Sequence, residues 1–397
     1  MNFITIEEAW QLISSNIKQK KRITKVNIQE ACGMIIAKNY YSSMANPPFD
    51  RSPLDGYACR SQDMTSLQPL VIIDKIYAGM ASSKVVNEGE CVNLMTGAPI
   101  PQGADCVIKQ EDVEVKDGKI YYQKALKHLQ NIVFKGEDIQ ENDLIIAADT
   151  KISKLHTCVL ASVGISEVEV YDNLRASIIT TGDEVMQPYE TLSTAKIYDS
   201  TSTYIATSLR QCGITKIDHY CVKDESDNLL QKLAAACKQC DLVITTGGVS
   251  VGEKDLLEDT LRMMGAKILF HGVKMKPGSP VMVATLNDSV IVALSGNPFA
   301  ALATFELICR PCMHALDPAI ANIKTVKAIM ANDYDKVRNH VAYVRGHCAN
   351  GMVTIPSANH SSGSIRSMIG CNCLVEILAD QTLTKAKEVK VVMLEEY

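Results

Sequence analysis

A glycine-rich stretch at 245–255, with the sequence TTGGVSVGEKD, constrains the fold of this chain more than any other segment. The apolar run Leu242 to Ile244 precedes it, and an apolar-periodic segment from Leu256 to Met264 follows it. This order predicts a buried strand, a tight turn and a helix. Gly247 and Gly248 can adopt backbone angles closed to other residues, and free N–H groups at the start of a helix attract anions. The stretch therefore predicts a phosphate site.

The same stretch carries two carboxylates, Glu253 and Asp255, which would repel a bare phosphate unless a cation bridges them. One interpretation is a phosphate cradle with its own metal ligands, and the other is a tight strand-to-helix turn whose glycines serve packing alone. The motif is not a P-loop, since no Gly-Lys-Ser/Thr follows, and it is not the dinucleotide-binding fingerprint.

Around this stretch, short apolar runs alternate with helical patterns, which predicts a mostly parallel sheet with helices on both faces. Strands are predicted at Ala176–Ile179, Thr215–Val222, Leu242–Ile244, Pro280–Thr285 and Ser289–Leu294, and helices at Thr201–Gln211, at Asn228–Cys237 and after Ser295-Gly296-Asn297-Pro298. The fold class is therefore a central doubly wound α/β domain with further β-rich parts on either side.

Three of the predicted strands end in acidic loops, and a fourth ends in a turn rich in backbone donors. The acidic loops hold Asp183 and Glu184, Asp224, and Glu253 with Asp255, and the fourth turn is Ser295 to Pro298. Ligands of such sheets bind beyond the carboxyl ends of the strands. Carboxylate oxygens at that edge suit Mg²⁺ held jointly with substrate phosphates.

The flanking parts have other patterns. Thr5 and Glu8 form a capping box that predicts a helix to about Ile17, and Ile28 to Ile36 predicts a second short helix. Lys116 to Lys119 has a hairpin signature. The predicted domains are a helical and linker domain at 1–45 plus 139–172, a β-rich module at 46–138, the central domain at 173–318 and a C-terminal β domain at 319–397.

Composition narrows the function classes. The formal net charge of −5 over 397 residues argues against nucleic-acid binding, which needs a basic face. No apolar run reaches the length of a membrane span, and the acidic N-terminus lacks the plan of a signal peptide, so a cytoplasmic protein is expected. The 14 cysteines are scattered, as for reduced buried thiols. The pairs Cys237/Cys240 and Cys309/Cys312 would form a zinc site only if the fold joined them.

Several motifs occur in one order along the whole chain. They are PPFDRSPLDGYA from Pro47, MTGAPIP from Met95, KGEDI from Lys135, TGDE from Thr181, TGGVSVG from Thr246, KPG from Lys276 and SGNP from Ser295. In this combination the chain resembles the MoeA family of molybdopterin molybdenumtransferases, to which the E domains of gephyrin and of its plant counterpart are related.

The resemblance implies an enzyme that inserts molybdate into adenylylated molybdopterin with Mg²⁺-dependent release of AMP, the final step of molybdenum cofactor biosynthesis. It also implies a homodimer whose active site is shared between subunits. A molybdopterin adenylyltransferase would supply the substrate, and molybdoenzymes would accept the product.

The resemblance also implies roles for particular residues. Catalytic roles fall on Asp55, Thr96, Asp138, Glu184, Asp224, Asp255 and Lys276, with Glu184, Asp224 and Asp255 as the Mg²⁺ ligands. Substrate binding falls on Gly247, Gly248, Ser250, Gly252, Ser295, Gly296, Asn297, Pro298, Arg345 and Ser364. Asp55 and Thr96 would come from the neighbouring subunit.

The chain departs from the family pattern at a few positions. Ser279 stands where a lysine is common, Ser295 where a proline is common, and Thr201 where an asparagine is common. A lost charged hydrogen bond in an anion site costs about 1–3 kcal/mol, which Lys274 can offset in part. Two alternatives therefore stay open, a non-catalytic molybdopterin-binding scaffold and a tungstate-preferring enzyme of the same chemistry. The retained carboxylates favour catalysis, because binding an anion has no use for them.

Overall fold

The computed structural model describes residues 3–222, 226–248, 256–357 and 360–394. It divides into two compact units, the first formed by Met1–Arg22 with Asp172–Tyr397 and the second by Ile23–Tyr171. The α-helices are α1 (Ile6–Asn16), α2 (Lys154–Ser162), α3 (Ser200–Gln211), α4 (Ser226–Gln239), α5 (Leu256–Met263), α6 (Pro298–Thr304) and α7 (Arg310–Leu316).

The second unit is a β-rich body that carries α2. Its strands are β1 (Ile23–Asn27), β2 (Tyr40–Tyr41), β3 (Gly56–Cys59), β4 (Leu70–Ile76), β5 (Glu90–Leu94), β6 (Cys106–Lys109), β7 (Val113–Lys116), β8 (Lys119–Tyr122), β9 (Leu144–Ile146) and β10 (Glu167–Tyr171). Six of them form a sheet in the order β6-β3-β5-β4-β8-β7. The predicted hairpin is confirmed, because β7 and β8 pair around Asp117 and Gly118, which both have positive φ.

The first unit is built on a central six-stranded sheet. The strands of this region are β11 (Arg175–Thr181), β12 (Val185–Met186), β13 (Ile197–Tyr198), β14 (Lys216–Val222), β15 (Leu242–Thr246), β16 (Lys267–His271), β17 (Met275–Lys276), β18 (Met282–Leu286) and β19 (Ser289–Leu294). The sheet order is β14-β11-β15-β19-β18-β16, in which the first four strands are parallel and the last two are added antiparallel. The predicted mostly parallel sheet is thus confirmed.

Side chains alternate between the two faces of this sheet. Ile178 and Ile244 lie in a cluster that contains residues of α1, α3 and α6. Ile179 and Val243 lie in a second cluster that contains residues of α4 and α5. Both faces are therefore covered by helices, as in a doubly wound domain, and each fully buried isoleucine contributes about 1.5–3 kcal/mol from burial of apolar surface.

A second sheet ends the first unit. Its strands are β20 (Lys324–Met330), β21 (Val341–Ala349), β22 (Met352–Thr354), β23 (Cys373–Ile377) and β24 (Glu388–Met393). These five close into a ring, because β23 pairs with both β21 and β24. The short strand β17 pairs with β21, which places Lys276 at the margin of this sheet.

The helix after Ser295-Gly296-Asn297-Pro298 runs as α6, a π-helical turn at Phe305–Cys309, and α7. Pro311 explains the disturbed turn, since proline has no N–H to donate to the carbonyl of Leu307 four residues earlier. That carbonyl instead accepts the indole N–H of Trp10 on α1 at 2.8 Å. Pro298–Leu316 has the length and apolar composition of a membrane span, but 89% of its most apolar window is buried inside the protein.

One predicted element is wrong. Ile28 to Ile36 forms turns rather than a helix, and its apolar residues, Ile28, Ala31 and Ile36, point into one small cluster with β10. Gly33 in this segment has a φ of +90° and donates its N–H to Ile152 at 2.8 Å. The helix-like spacing thus arises from successive turns that bury residues on the same side. The predicted capping box at Thr5 is confirmed, and Ser153 forms a second capping box at the start of α2.

Candidate active site

The site begins where four neighbouring parallel strands end. β14, β11, β15 and β19 are adjacent and parallel, so their carboxyl ends share one edge of the sheet. The loops after β11, β15 and β19 hold Glu184, Gly247 with Gly248, and the turn Ser295 to Pro298. Asp224, Ser250, Gly252, Glu253 and Asp255 lie outside the described residues.

A cleft of about 550 Å³ opens at this edge. Eight of the predicted site residues line it together, namely Glu184, Gly247, Gly248, Lys276, Ser295, Gly296, Asn297 and Pro298. Its wall also contains Thr180, Thr181, Asp199 and Ser362, none of which is among the predicted catalytic or binding residues. A signal for Asp199 existed, because an aspartate just before a helical pattern is a preferred N-cap.

Gly247 forms the floor of the cleft and leaves no room for a side chain. Its φ is +88°, and a Cβ at this position would lie 2.7 Å from both the carbonyl oxygen and the hydroxyl of Thr181. Gly248 follows with a φ of +65°. The glycines therefore satisfy a backbone requirement at the end of β15, and they also let a ligand approach the main chain.

The second turn faces the first at close range. A Cβ on Gly296 would lie 3.7 Å from the Cα of Gly247. Asn297 is the N-cap of α6 without a side-chain cap bond, and Pro298 occupies the first turn of the helix. The N–H of Asn297 donates to the Ser295 hydroxyl at 3.3 Å. Two glycine-containing turns thus border one space in which a ligand can approach the main chain closely. The N–H groups of Gly247 and Phe299 themselves donate to the carbonyls of Leu294 and Ser362 at 3.1 and 2.9 Å.

Glu184 is the predicted acidic site residue that lines the cleft. Its carboxylate packs against Gly182, where a Cβ would lie 2.9 Å from both carboxylate oxygens. The neighbouring carbonyl of Asp183 accepts Lys196 Nζ at 2.5 Å. Among the described residues, no lysine or arginine forms an ion pair with Glu184. A carboxylate without a lysine or arginine partner is a suitable ligand for a hard cation.

A second cavity, of about 390 Å³, adjoins the cleft through Lys276, Pro277 and Ser362, which line both. Basic groups dominate its wall, namely Lys276, Lys336, Arg338 and His360. Burial and then the cationic neighbours Arg345, Lys336 and Arg338 lower the pKa of His360, while its bond to the Pro356 carbonyl raises it. The cavity is therefore a positively charged space open to an anion.

Asp55, Thr96 and Asp138 belong to the second unit. Asp55 accepts hydrogen bonds from the backbone N–H and the hydroxyl of Thr96 at 2.7 and 2.8 Å. Both bonds, the backbone one foremost, lower the pKa of Asp55. Asp138 accepts the side-chain amide of Asn46 at 3.4 Å. The fold thus brings Asp55 and Thr96 into contact.

Comparison with known proteins gives the family. Three family models match consecutive parts of the chain: the MoeA N-terminal region (domains I and II) at 4–164, a probable molybdopterin-binding domain at 177–315, and the MoeA C-terminal region (domain IV) at 327–394. A molybdopterin molybdenumtransferase of Staphylococcus epidermidis is 32% identical over 385 residues, which covers 94% of this chain and 91% of the relative. The chain belongs to the MoeA family.

Further relatives agree with this assignment. A molybdopterin molybdenumtransferase of Staphylococcus aureus is 31% identical over 383 residues, covering 94% of this chain and 91% of the relative. A crystal structure of a MoeA protein from Pyrococcus horikosii superimposes with a TM-score of 0.82 at 26% identity and covers both chains completely. The fold expected from the resemblance is confirmed over the full length.

The structure places the three residues at which this chain departs from the common MoeA pattern. The Ser279 hydroxyl donates to the carbonyl of Met275 at 2.6 Å and so closes the turn after Lys276. The Ser295 hydroxyl accepts the N–H of Asn297. Thr201 lies on α3, where it is buried. The two serines thus stabilise backbone that borders the cleft.

Arg345 was expected to contact substrate, but its side chain is fully buried. The guanidinium lies 3.6 Å from the centre of the Phe299 ring and donates to the carbonyls of Ser364 and Ser361 at 2.6 and 3.0 Å, as well as to the Ser367 hydroxyl. Burial lowers the pKa of Arg345. Its contacts make it the residue that fixes the serine-rich loop 361–367 rather than an exposed ligand contact.

The two Cys-x-x-Cys pairs do not come together. Cys237 and Cys240 lie in one buried cluster, whereas Cys309 and Cys312 lie in another. Burial raises the pKa of each of these thiols, as for cysteines that serve as small apolar residues. The zinc interpretation of these pairs is wrong for the fold described.

Proposed function

We propose that this member of the MoeA family is a molybdopterin molybdenumtransferase that inserts molybdate into adenylylated molybdopterin with Mg²⁺-dependent release of AMP. The observation that carries the proposal is the cleft in which two glycine-containing turns, the Glu184 carboxylate and the Lys276 ammonium border one space. Curated relatives of nearly the same length bear the name of this activity.

The anionic end of the substrate would bind at the two facing turns. Gly247, Gly248 and Gly296 border the same space, and their lack of side chains would let a phosphate approach the main chain closely. Ser250 and Gly252 would extend the same cradle, and Ser295, Gly296 and Pro298 would shape it. Lys276 would neutralise part of the negative charge in a site with restricted water, where a fixed cation stabilises developing charge best.

Glu184, Asp224 and Asp255 would hold Mg²⁺. The fit rests on the Glu184 carboxylate, a hard oxygen donor that lines the cleft and lacks a cationic partner among the described residues. When bound, Mg²⁺ would neutralise phosphate oxygens and so favour cleavage of the bond that links AMP to molybdopterin. The carboxylates would orient the attacking oxygen and accept its proton.

The basic cavity beside the cleft would receive the oxyanion. Lys276, Lys336 and Arg338 line it together with His360, and the positive charge of the two lysines and the arginine suits a tetrahedral dianion such as molybdate or tungstate. Arg345 would act indirectly, by holding the loop that carries Ser361, Ser362 and Ser364. Ser364 would contact the substrate from that loop.

We infer a homodimer in which Asp55, Thr96 and Asp138 complete the site of the partner subunit. A molybdopterin adenylyltransferase would precede this enzyme, molybdoenzymes would receive its product, and the reaction would take place in the cytoplasm. Mixed dimers test the shared site. Subunits carrying Asp55→Asn and subunits carrying Glu184→Gln, each inactive alone, should regain partial activity when combined, because one of the two sites would then be intact. A verified heterodimer without activity would contradict a shared site.

Formation of the cofactor tests the reaction itself. Purified protein, adenylylated molybdopterin, Mg²⁺ and molybdate should yield a product that activates a molybdoenzyme lacking its cofactor. Replacing molybdate by tungstate in parallel distinguishes the two oxyanions. Tight binding of adenylylated molybdopterin without product from either oxyanion would favour a non-catalytic scaffold.

A further inference from the structure

Three side chains of different chemistry converge beside the cleft, on the face of the central sheet that α3 covers. Asp199 precedes α3, and His219 and Cys221 stand two residues apart on the edge strand β14. One ligand atom from each, a carboxylate oxygen, an imidazole nitrogen and the thiol sulfur, lie within 4.8 Å of one another. Among the residues that the structure describes, this is the one such group of three.

The fold fixes this convergence through strand register. His219 pairs with Ile178 and Cys221 with Thr180 in the parallel ladder between β14 and β11, so residues two apart project from the same face. The Thr180 hydroxyl donates to Asp199 Oδ2 at 2.8 Å, and the other oxygen of Asp199 accepts the N–H of Ser202 at 2.9 Å. Asp199 is thus held over the two β14 side chains by its own capping role.

We propose that Asp199, His219 and Cys221 form a binding site for a divalent transition metal of the zinc class, separate from the proposed Mg²⁺ site. Oxygen, nitrogen and sulfur together are a ligand set that zinc accepts in tetrahedral sites. Thiolate and imidazole select borderline metals, whereas Mg²⁺ prefers oxygen alone. Three protein ligands leave the fourth position open to water or to a ligand in the cleft.

The nitrogen and oxygen atoms of this group already have the spacing of zinc ligands. His219 Nε2 and Asp199 Oδ2 lie 3.7 Å apart, while ligand atoms about 2.0–2.3 Å from a tetrahedral zinc lie about 3.3–3.7 Å apart. Both His219 and Cys221 are exposed, so an ion can reach them from solvent. Asp199 also lines the cleft, which places a bound metal at its wall.

The local charge favours a cation. Burial and then the Asp199 and Glu190 carboxylates raise the pKa of Cys221, against a hydrogen bond from the Gln187 amide that lowers it. Partial burial of the imidazole ring lowers the pKa of His219, although the neighbouring Asp199 carboxylate raises it. Binding would release about one proton per metal, because the Cys221 thiol must become a thiolate.

The other interpretation of these residues is purely local hydrogen bonding. The Thr180 hydroxyl lies 3.2 Å from His219 Nε2, and Gln187 Nε2 donates to Cys221 Sγ at 2.8 Å. Those contacts would satisfy both side chains without an ion. The two interpretations differ in whether a thiolate–metal bond forms at Cys221.

Cobalt titration of the full-length protein, first stripped of metal with a chelator, tests the proposal. We expect one Co²⁺ per chain with a thiolate-to-cobalt charge-transfer absorption, which Zn²⁺ abolishes by displacement and excess Mg²⁺ leaves unchanged. Cys221→Ser should remove that absorption, and His219→Gln should weaken Co²⁺ binding at least about tenfold. The matched control is Cys158→Ser, because Cys158 is also an exposed cysteine but lies on α2 in the second unit.

Thermal unfolding distinguishes a variant that has lost the metal site from one that has lost its fold. In chelator, Cys221→Ser should unfold at the same temperature as the wild type, whereas Zn²⁺ should raise that temperature for the wild type alone. A wild-type protein without the charge-transfer absorption, or an absorption that survives Cys221→Ser, would overturn the proposal.

Discussion

The Asp55 carboxylate accepts two hydrogen bonds from Thr96, one from its backbone N–H at 2.7 Å and one from its hydroxyl at 2.8 Å. The pairing of β3 with β5 explains the contact, since Gly56 stands opposite Leu94 in the antiparallel ladder. Asp55 and Thr96 flank this pair at the same end of the sheet. Both bonds stabilise the ionised carboxylate and lower the pKa of Asp55.

Removing the Thr96 hydroxyl should therefore raise the pKa of Asp55. Thr96→Val deletes one of the two donors and keeps the backbone N–H, so we expect the pKa to move part of the way back to its ordinary value. Thr96→Ser keeps a hydroxyl and serves as the control. Titration of the Asp55 carboxyl by NMR measures both variants, and equal pKa values in the two would contradict a role for the hydroxyl.

Gly247→Ala should destabilise the first unit and abolish binding of molybdopterin. The added Cβ would lie 2.7 Å from Thr181 oxygens at a φ of +88°. Gly213→Ala is the matched control, because Gly213 has a φ of +82° with nothing within 4 Å of the new Cβ. We expect Gly247→Ala to cost about 1–3 kcal/mol more than Gly213→Ala in the free energy of unfolding. Denaturant unfolding measures both variants. An equal loss of unfolding free energy in the two would show that the structure around Gly247 accommodates the added Cβ without cost.

Arg345→Met should loosen the loop at 361–367. The change removes the guanidinium donor to the carbonyls of Ser361 and Ser364 and the stacking on Phe299, at a cost on the order of 3 kcal/mol. Arg366→Met is the control, since Arg366 is an exposed arginine within the same loop. Amide hydrogen exchange across the loop should quicken in the first variant alone. Unchanged exchange in Arg345→Met would argue against the positioning role.

Much of this fold could be predicted from the sequence, because in most elements the local sequence signals agree with the pattern of buried residues. The run Leu242 to Ile244, the glycines after it and the periodic segment beyond predict the buried strand β15 and its turn, and the structure has both. The helix predicted at Ile28 to Ile36 is wrong, because successive turns there bury residues at a spacing like that of a helix. Periodicity reports which residues are buried, not which backbone buries them.

The candidate site was predictable in part for the same reason. Strand ends that carry Glu184, Gly247 and Pro298 meet in one cleft, since parallel neighbours share an edge. Arg345 shows the limit, because no sequence signal distinguishes a buried arginine stacked on a ring from one that faces a ligand. The convergence of Asp199 with His219 depends on the register of β11 and β14 and on where α3 begins, which only the tertiary fold determines.

Stability should fall as the pH drops below about 6.5, the ordinary pKa of histidine, and His360 should account for part of the loss. Its Nε2 donates to the Pro356 carbonyl at 2.7 Å, and its buried Nδ1 has no partner in the described part of the chain. Because the pKa of His360 is lowered in the folded state, the unfolded chain takes up the proton first, so stability present above pH 6.5 is lost as the pH falls through the folded pKa.

Unfolding temperatures of the wild type and His360→Gln between pH 5 and 8 test this expectation. The variant should lose less stability over that interval. Phosphate should bind the basic cavity, accept a hydrogen bond from the protonated Nδ1 and so raise the pKa of His360 in the wild type. Identical pH profiles for the two proteins would assign the loss to other groups.

The most direct test of the account is release of AMP. The purified protein should convert adenylylated molybdopterin to molybdenum cofactor and AMP in equal amounts, and only when molybdate and Mg²⁺ are both present. Glu184→Gln, which keeps the shape of the side chain but removes its charge, should bind the substrate and release AMP at a rate at least about 100-fold lower. AMP release at the wild-type rate from Glu184→Gln, or none from the wild type with both ions present, would contradict the proposed site and its chemistry.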